Sequence, residues 1–336
     1  MKKKHFMQGT LLHLYRLSCQ SSWMRNTLLL LSWLFCILFT GSLNCLSADK
    51  DSKKIWTDPK KAAIEDPDFS LQGEYVAKGL GFQAAAVGNN KFYSSKFNGG
   101  LPGQGWDGSD PEVEIVNADD LKEIVKGMKK ELRVSPSLGA EPPAGAVVLF
   151  DGKKNQKIKG QVKDGLLLAG AQTTEEYGDF TLHLEFRLPY KPNSALSSQD
   201  RGNSGIYLQN RYETQVLDSF GLVYDKKNIK VPLKSDPKQW CGCFYKFKTA
   251  DTPMCFPPLS WQTYDIDFQA PKFENGKKVA DAIITVKHNG VIIHDKVRLP
   301  KGTGAGGGRK EVPKGPIIFQ GHGNPVFYRN IWIIPR

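Results

Sequence analysis

Several signatures of common enzyme classes are absent from this sequence. It contains no G-x-S-x-G nucleophile elbow and no H-E-x-x-H zinc helix, so neither an α/β-hydrolase nor a zinc protease has a local signature here. Histidines are few, six in 336 residues, and their scattered spacing argues against a structural zinc site. Residues 302–307 satisfy G-x-G-x-x-G, but no helix pattern follows, so we expect no dinucleotide site.

The first 48 residues contain no acidic residue. Their basic residues precede an apolar run from Leu28 to Phe39, which is shorter than the roughly 20 residues of a membrane span. Small and polar residues then lead to Ala48, an order typical of a secretory signal. We therefore expect residues 1–48 to be a signal peptide and the protein to be secreted or periplasmic, with no stable membrane span after processing. The alternative is a membrane anchor formed by an uncleaved N-terminal segment.

The net charge of +12 owes much to that leader. Removing the leader's five basic residues leaves +7, mostly as scattered lysines, and no stripe mixes basic with aromatic residues. We therefore expect no nucleic-acid partner. The 33 glycines and 20 prolines favour turns and short strands over long helices.

Cysteine is also scarce after the leader, where only Cys241, Cys243 and Cys255 remain. Three is an odd number, so at most one internal disulfide can form. In an oxidising compartment, we expect Cys255 to pair with either Cys241 or Cys243.

The remaining chain divides into two parts. Residues 49–140 are predicted to form a small module that ends in a proline-rich linker, and residues 119–133 have the apolar spacing of a helix. Residues 180–188 instead alternate apolar and polar side chains, which is typical of a sheet with one packed and one solvent-facing side. Asn289-Gly290 lies between two β-rich runs, a strong hairpin signal. The many short strands predict an all-β sandwich over residues 141–336.

Residues 202–221 are the segment most suggestive of chemistry. If Thr214 and Val216 face the core, the alternation of a strand turns Glu213 and Gln215 to the open face. Asp218 has the opposite parity and would reach that face only through a bulge. Carboxylates, amides and aromatic rings together suit a sugar, because amides and carboxylates bind paired hydroxyls and rings stack on C–H faces.

Eight stretches of the second part resemble the 3-keto-disaccharide hydrolase domain family. They occur in the same order as in the family, and the resemblance covers roughly residues 146–336. The stretches are residues 148–152, 177–180, 184–188, 203–207, 212–218, 315–320, 322–326 and 329–331.

This resemblance implies a concanavalin A-like jelly-roll β-sandwich, preceded here by the small mixed N-terminal module. It also implies cleavage of glycosides whose ring carbon 3 has been oxidised to a ketone. The N-terminal module looks like one that often precedes such domains in secreted planctomycete proteins. One departure is an insertion at residues 234–258, which is longer than in the simplest family members. We expect it to reshape the wall of the cleft.

A mechanistic hypothesis assigns roles to the matching residues. A ketone at carbon 3 acidifies the proton on carbon 2, so that a base can remove it and the group on carbon 1 can leave. We expect Glu213 to be the base or acid, with Asp218 or His322 as its partner. The expected substrate-binding residues are Asn203, Tyr207, Arg211, Gln215, Gln320 and Arg329, although Arg329 could instead lie on the outer face of the last strand.

Two other interpretations remain open. Glu213, Gln215 and Asp218 have the spacing of the bulged carboxylate strand in family 16 glycoside hydrolases, which are retaining enzymes and cleave unoxidised glycans. Alternatively, the sandwich could be a lectin-like module that binds carbohydrate without cleaving it, since the fold does not determine the function.

We expect a carbohydrate substrate and no cofactor. The redox step that makes the ketone would belong to a separate sugar oxidoreductase. No metal site is predicted: a calcium ion can occur in such sandwiches, but no loop rich in Asp and Asn indicates one.

Overall fold

The computed structural model describes residues 54–153, 156–223 and 236–336. The predicted signal peptide, residues 1–48, lies outside these ranges and stays a prediction. Within them, no helix is both long and apolar enough to cross a membrane.

The N-terminal part begins with two short helices, α1 (Pro59–Glu65) and α2 (Pro67–Leu71). Each starts at a proline preceded by an aspartate, Asp58 or Asp66, whose carboxylate accepts hydrogen bonds from the first-turn N–H groups. An N-cap aspartate followed by proline therefore marks the start of both helices in the sequence.

A five-stranded antiparallel sheet follows, with strands β1 (Gly73–Ala77), β2 (Leu80–Ala86), β3 (Lys91–Asn98), β4 (Glu112–Asn117) and β5 (Lys129–Glu131). They lie in the order β4-β3-β2-β1-β5.

The helix predicted for residues 119–133 is only half right. Helix α3 spans Ala118–Ile124 and is capped by Asn117. Gly127 then takes a left-handed conformation, with φ of 83°, and the chain turns back to form β5 beside β1. Strand pairing thus overrides the apolar helical spacing beyond Ile124.

Two antiparallel sheets make up the rest of the described chain. One has five strands in the order β13-β12-β19-β10-β7, and the other has eight, with β18-β17-β14-β11-β20-β9-β8 in line and β6 beside β20. The five-stranded sheet contains β7 (Ile158–Lys159), β10 (Ala171–Thr173), β12 (Ser204–Leu208), β13 (Tyr212–Val216) and β19 (Ile318–Phe319). The eight-stranded sheet contains β6 (Val147–Phe150), β8 (Val162–Lys163), β9 (Leu166–Leu168), β11 (Phe180–Arg187), β14 (Trp261–Gln269), β17 (Ala282–His288), β18 (Val291–Leu299) and β20 (Phe327–Pro335). A small hairpin is formed by β15 (Lys272–Glu274) and β16 (Lys277–Ala280).

One hydrophobic core joins the two sheets. Leu182, Leu184 and Phe186 of β11 belong to the same buried cluster as Ile206 and Leu208 of β12. Burying a side chain of this kind contributes about 1.5–3 kcal/mol. The predicted all-β sandwich is therefore confirmed.

The outer face of β11 is not the solvent-facing surface that its alternation predicts. His183 and Glu185 are buried there, because the predicted linker packs over them. The N–H of Gly139 donates to Glu185 Oε1 at 2.6 Å, and the Ser137 hydroxyl donates to Asp265 Oδ2 at 2.7 Å. A polar strand face thus indicates hydrogen-bonding partners, which the linker can supply as well as water.

The expectation of a disulfide is wrong. Cys241, Cys243 and Cys255 are all buried free thiols. Cys243 donates to the carbonyl of Pro237 at 3.2 Å, and the sulfur of Cys241 lies 3.3 Å from the hydroxyl of Tyr264. The thiols therefore serve as small core residues with weak polar contacts.

Candidate active site

The floor of the candidate site is the outer face of β12 and β13. Tyr207 pairs with Glu213 and Gly205 pairs with Gln215, so these four residues share one face of the sheet. Thr214 and its alternating neighbours are also buried, on the core side. The strand alternation predicted from the sequence therefore describes this hairpin correctly.

Two loops close over this floor and leave a cavity of about 480 Å³. One is the segment that includes a 3-10 turn at Pro237–Gln239, and the other is the glycine-rich loop with a 3-10 turn at Gly304–Gly306. The lining residues are Gln199, Asn203, Tyr207, Glu213, Gln215, Tyr245, Lys246, Gly304, Ala305, Gln320 and His322.

Glu213 is the only carboxyl among these lining residues. Its side chain is 2% exposed, and the Tyr207 hydroxyl donates to its Oε2 at 2.7 Å. Burial raises the pKa of Glu213 to about 7, although the hydrogen bond from Tyr207 acts in the opposite direction. A carboxyl with that pKa exchanges protons readily near neutral pH.

Two glycines give the Glu213 carboxyl its space. A Cβ on Gly205 would lie 2.5 Å from Glu213 Oε1, and a Cβ on Gly304 would lie 2.9 Å from Oε2 and 2.4 Å from Cδ1 of Tyr245. Gly304 also has φ of 50°, a region that favours glycine. The carboxyl therefore lies between one strand position and one loop position that both lack a side chain.

Amides form the neighbouring wall. Asn203 and Gln215 are 3% and 1% exposed, and the side-chain NH₂ group of each donates to Gln199 Oε1 at 3.1 Å. Gln320 enters the same cavity from the chain just after β19, where its N–H donates to the carbonyl of Gly205 at 2.8 Å.

Another part of the lining carries hydrogen-bond donors. Tyr245 and Lys246 lie in the insertion, and the Lys246 ammonium stands 5.4 Å from the centre of the Tyr245 ring. Burial and the nearby charge of Glu213 raise the pKa of Tyr245, so its hydroxyl stays protonated at neutral pH. His322, in the exposed turn before β20, completes the rim.

Six of the nine predicted site residues therefore come together in one cavity, and Asp218 is not among them. It is fully buried, and Arg201 Nε donates to its Oδ2 at 2.8 Å. Strand β13 ends at Val216, so the bulge that would turn Asp218 toward the cleft is not formed. Its carboxylate serves an internal ion pair.

Arg211 and Arg329 also lie away from the cavity lining. Arg211 donates to the carbonyls of Gln209 at 2.5 Å and Lys310 at 2.6 Å. Arg329 donates to Glu185 Oε2 at 2.6 Å on the eight-stranded sheet and lies 4.0 Å from the ring centre of Trp261. Arg329 thus takes the second of its two expected positions, the outer face of the last strand.

Five lining residues were not singled out by the sequence. Tyr245 and Lys246 belong to the insertion that was expected to reshape the cleft wall, and Gly304 and Ala305 belong to the glycine-rich loop. Gln199 lies five residues before β12 in a loop with no periodic pattern. The length of the insertion was a usable signal, whereas nothing local marks Gln199.

No group of three or more His, Cys, Asp or Glu side chains in the described ranges could hold a metal ion. The cavity offers one carboxylate and several amide oxygens as its oxygen ligands.

Comparison with known proteins places most of this sandwich in one family. Residues 145–334 match the family model described as the 3-keto-alpha-glucoside-1,2-lyase-like domain. A crystal structure of a "putative glycosyl hydrolase" from Parabacteroides distasonis is 31% identical, with 58% of this chain and 85% of that chain covered and a TM-score of 0.49.

Two further structures under the same name, from the same organism, are more distant. One is 18% identical, covers 57% of this chain and 94% of its own, and has a TM-score of 0.41. The other is 21% identical, covers 56% and 98%, and has a TM-score of 0.37. No curated protein matches the chain.

Proposed function

The chain belongs to the 3-keto-alpha-glucoside-1,2-lyase-like domain family over residues 145–334, and from that premise we propose that it cleaves glycosides whose ring carbon 3 is a ketone. Glu213 is the base in this proposal. The observation that carries it is a single buried carboxyl, with a pKa raised by burial to about 7, at the floor of an amide-lined cavity.

The reaction begins at carbon 2 of the sugar. The Glu213 carboxylate removes the proton there, and the electron pair of the broken C–H bond moves toward the ketone as an enolate. Collapse of the enolate forms a double bond between carbons 1 and 2 and breaks the bond from carbon 1 to the glycosidic oxygen, which leaves after taking up a proton. Water then adds to the unsaturated sugar.

The enolate requires a donor where its charge develops. Tyr245 and Lys246 also line the cavity and supply a hydroxyl and an ammonium. We assign the ketone oxygen to these two donors. His322, at the exposed rim, is the group placed to give a proton to the departing oxygen.

The structure disfavours a family-16-like mechanism. A retaining glycosidase needs two carboxyl groups about 5–5.5 Å apart. Among the described residues, Glu213 is the only carboxyl that lines the cavity, and Asp218 is bound to Arg201 in the interior. An elimination needs one base and has no use for a second carboxylate.

A substrate panel tests the proposal. The enzyme is incubated with a 3-keto-glucoside and with the matching unoxidised glucoside, and the released aglycone is measured. We expect release from the keto substrate alone, and a loss of about 10²–10⁴-fold in kcat/KM for Glu213→Gln. Binding without release from either compound would instead support the lectin-like alternative.

A matched control separates this effect from a general loss of charge. Glu141 is an exposed glutamate outside the cavity, so Glu141→Gln should retain the wild-type rate. If Glu213→Gln also retains it, the assignment of the base is wrong.

A further inference from the structure

The side-chain amides in the wall of the cavity are held in one orientation by a main-chain carbonyl. The carbonyl oxygen of Gln239 can only accept hydrogen bonds. It receives one from Nε2 of Gln199 at 3.3 Å and one from Nε2 of Gln215 at 3.2 Å. Rotating either amide by half a turn would place two oxygens against each other, so both amides are held in one orientation.

The orientation of Gln199 in turn determines the orientation of the Asn203 amide. Because Nε2 of Gln199 faces the carbonyl of Gln239, Oε1 of Gln199 points the other way and accepts from both Asn203 Nδ2 and Gln215 Nε2 at 3.1 Å. The two hydrogens of the Gln215 NH₂ group are then both used, one on Gln199 and one on Gln239.

The oxygens of Asn203 and Gln215 remain without a donor in the described part of the chain. Oδ1 of Asn203 and Oε1 of Gln215 are buried and have no donor among the described residues, and both residues line the cavity beside Glu213. A buried acceptor without a donor is costly, so two such oxygens on residues that line one cavity indicate a ligand that brings its own hydrogen-bond donors.

We propose that Gln199 is a positioning residue which turns the buried oxygens of Asn203 and Gln215 into the cavity, and that these oxygens bind two hydroxyl groups of the sugar ring as donors. This inference rests on the proposed function for the identity of the ring as a sugar. It also orients the substrate: a ketone oxygen has no hydrogen to donate and cannot occupy this wall, so it faces Tyr245 and Lys246 instead.

Deoxyfluoro sugars test whether the two amide oxygens bind sugar hydroxyls, because fluorine keeps the size and polarity of a hydroxyl but cannot donate a hydrogen bond. The probes are methyl glucoside and its 2-, 4- and 6-deoxyfluoro analogues, with affinities measured by calorimetry on the whole protein. We expect at least one analogue to bind about tenfold or more weakly than methyl glucoside, the loss expected for one buried acceptor left unpaired.

A variant of Gln199 then tests its role. Gln199→Met removes the shared acceptor and frees Asn203 to turn its NH₂ group toward the ligand, so at least one fluoro penalty should fall close to one. Gln215 stays held by the carbonyl of Gln239, so a penalty at the hydroxyl that it binds should remain. Gln104→Met makes the same chemical change at an exposed site outside the cavity and should behave as the wild type.

Each other outcome overturns the inference. It fails if methyl glucoside does not bind, if no fluoro analogue is disfavoured, or if no penalty falls in a Gln199→Met protein that unfolds at the wild-type temperature. It also fails if EDTA abolishes sugar binding and calcium restores it, since the two oxygens would then hold a cation.

The proposed function is tested independently of this inference. Discrimination among fluoro sugars without cleavage of a 3-keto-glucoside would support the role of the amides in sugar binding and contradict the proposed reaction. Cleavage without discrimination would support the proposed reaction and contradict the role of the amides.

Discussion

The Glu213 carboxyl shows how one buried residue couples catalysis to stability. Its pKa is raised from 4.5 to about 7 because burial disfavours the charged form. Between these two values the folded protein holds a proton that the unfolded chain has released. The contribution of this group to the free energy of unfolding therefore falls as the pH rises through that window.

A denaturation experiment tests this coupling. Above pH 7 the cost of the ionised carboxyl reaches at most about 3 kcal/mol, from 1.36 kcal/mol per pKa unit. Glu213→Gln carries no charge, so we expect it to gain stability relative to the wild type at pH 8 and much less at pH 4, as measured by urea unfolding. Glu141→Gln serves as the exposed control. An equal effect of Glu213→Gln at both pH values would contradict the raised pKa.

At the scale of elements, the site consists of one hairpin and the two loops above it. The hairpin of β12 and β13 follows from alternation, and the sequence placed Glu213 and Gln215 correctly on its open face. The loops could not be predicted in the same way. Neither the insertion nor the glycine-rich loop has a period, and their approach to Glu213 depends on contacts between residues about 30 to 90 positions apart, such as the hydrogen bond from the Glu213 N–H to the Thr303 hydroxyl.

The glycine-rich loop gives a prediction at this scale. Gly304→Ala adds a Cβ that would lie 2.4 Å from the Tyr245 ring and 2.9 Å from Glu213 Oε2, so we expect kcat/KM for the keto substrate to fall at least tenfold. The cost to folding should be about 1–2 kcal/mol, from the left-handed backbone. In the same loop, Gly308→Ala meets no atom within 4 Å and should leave both quantities unchanged. Equal activity in the two variants would show that the loop does not define the cleft.

Across the whole molecule, a buried ion pair links separate parts of the chain. Arg201 and Asp218 are both fully buried, and the Arg201 guanidinium also donates to the main-chain carbonyls of Ala86 in β2 at 2.8 Å and of Ser194 at 3.0 Å. The pair therefore joins the N-terminal sheet to the loop that leads into β12. Strand parity argued against Asp218 as a cleft residue, yet the mechanistic hypothesis kept it as a candidate partner of Glu213, because its arginine partner lies 17 residues away with no local pattern to reveal it.

This assignment gives Asp218 a structural test. Asp218→Asn leaves the Arg201 charge without its partner, so we expect a loss of about 3–5 kcal/mol in the free energy of unfolding, as found for broken buried pairs. Protein that remains folded at low temperature should keep most of its kcat. The opposite pattern, unchanged unfolding with abolished turnover, would restore Asp218 to the catalytic machinery.

The proposed elimination is tested most directly by following the proton on carbon 2. A 3-keto-glucoside is incubated with the enzyme in D₂O, and both the released aglycone and the deuterium at carbon 2 of recovered substrate and hydrated product are measured. Elimination with Glu213 as the base predicts release with deuterium at carbon 2, and the loss of both in Glu213→Gln. Cleavage that leaves the original hydrogen on carbon 2, or that proceeds equally well on the unoxidised glucoside, would contradict it.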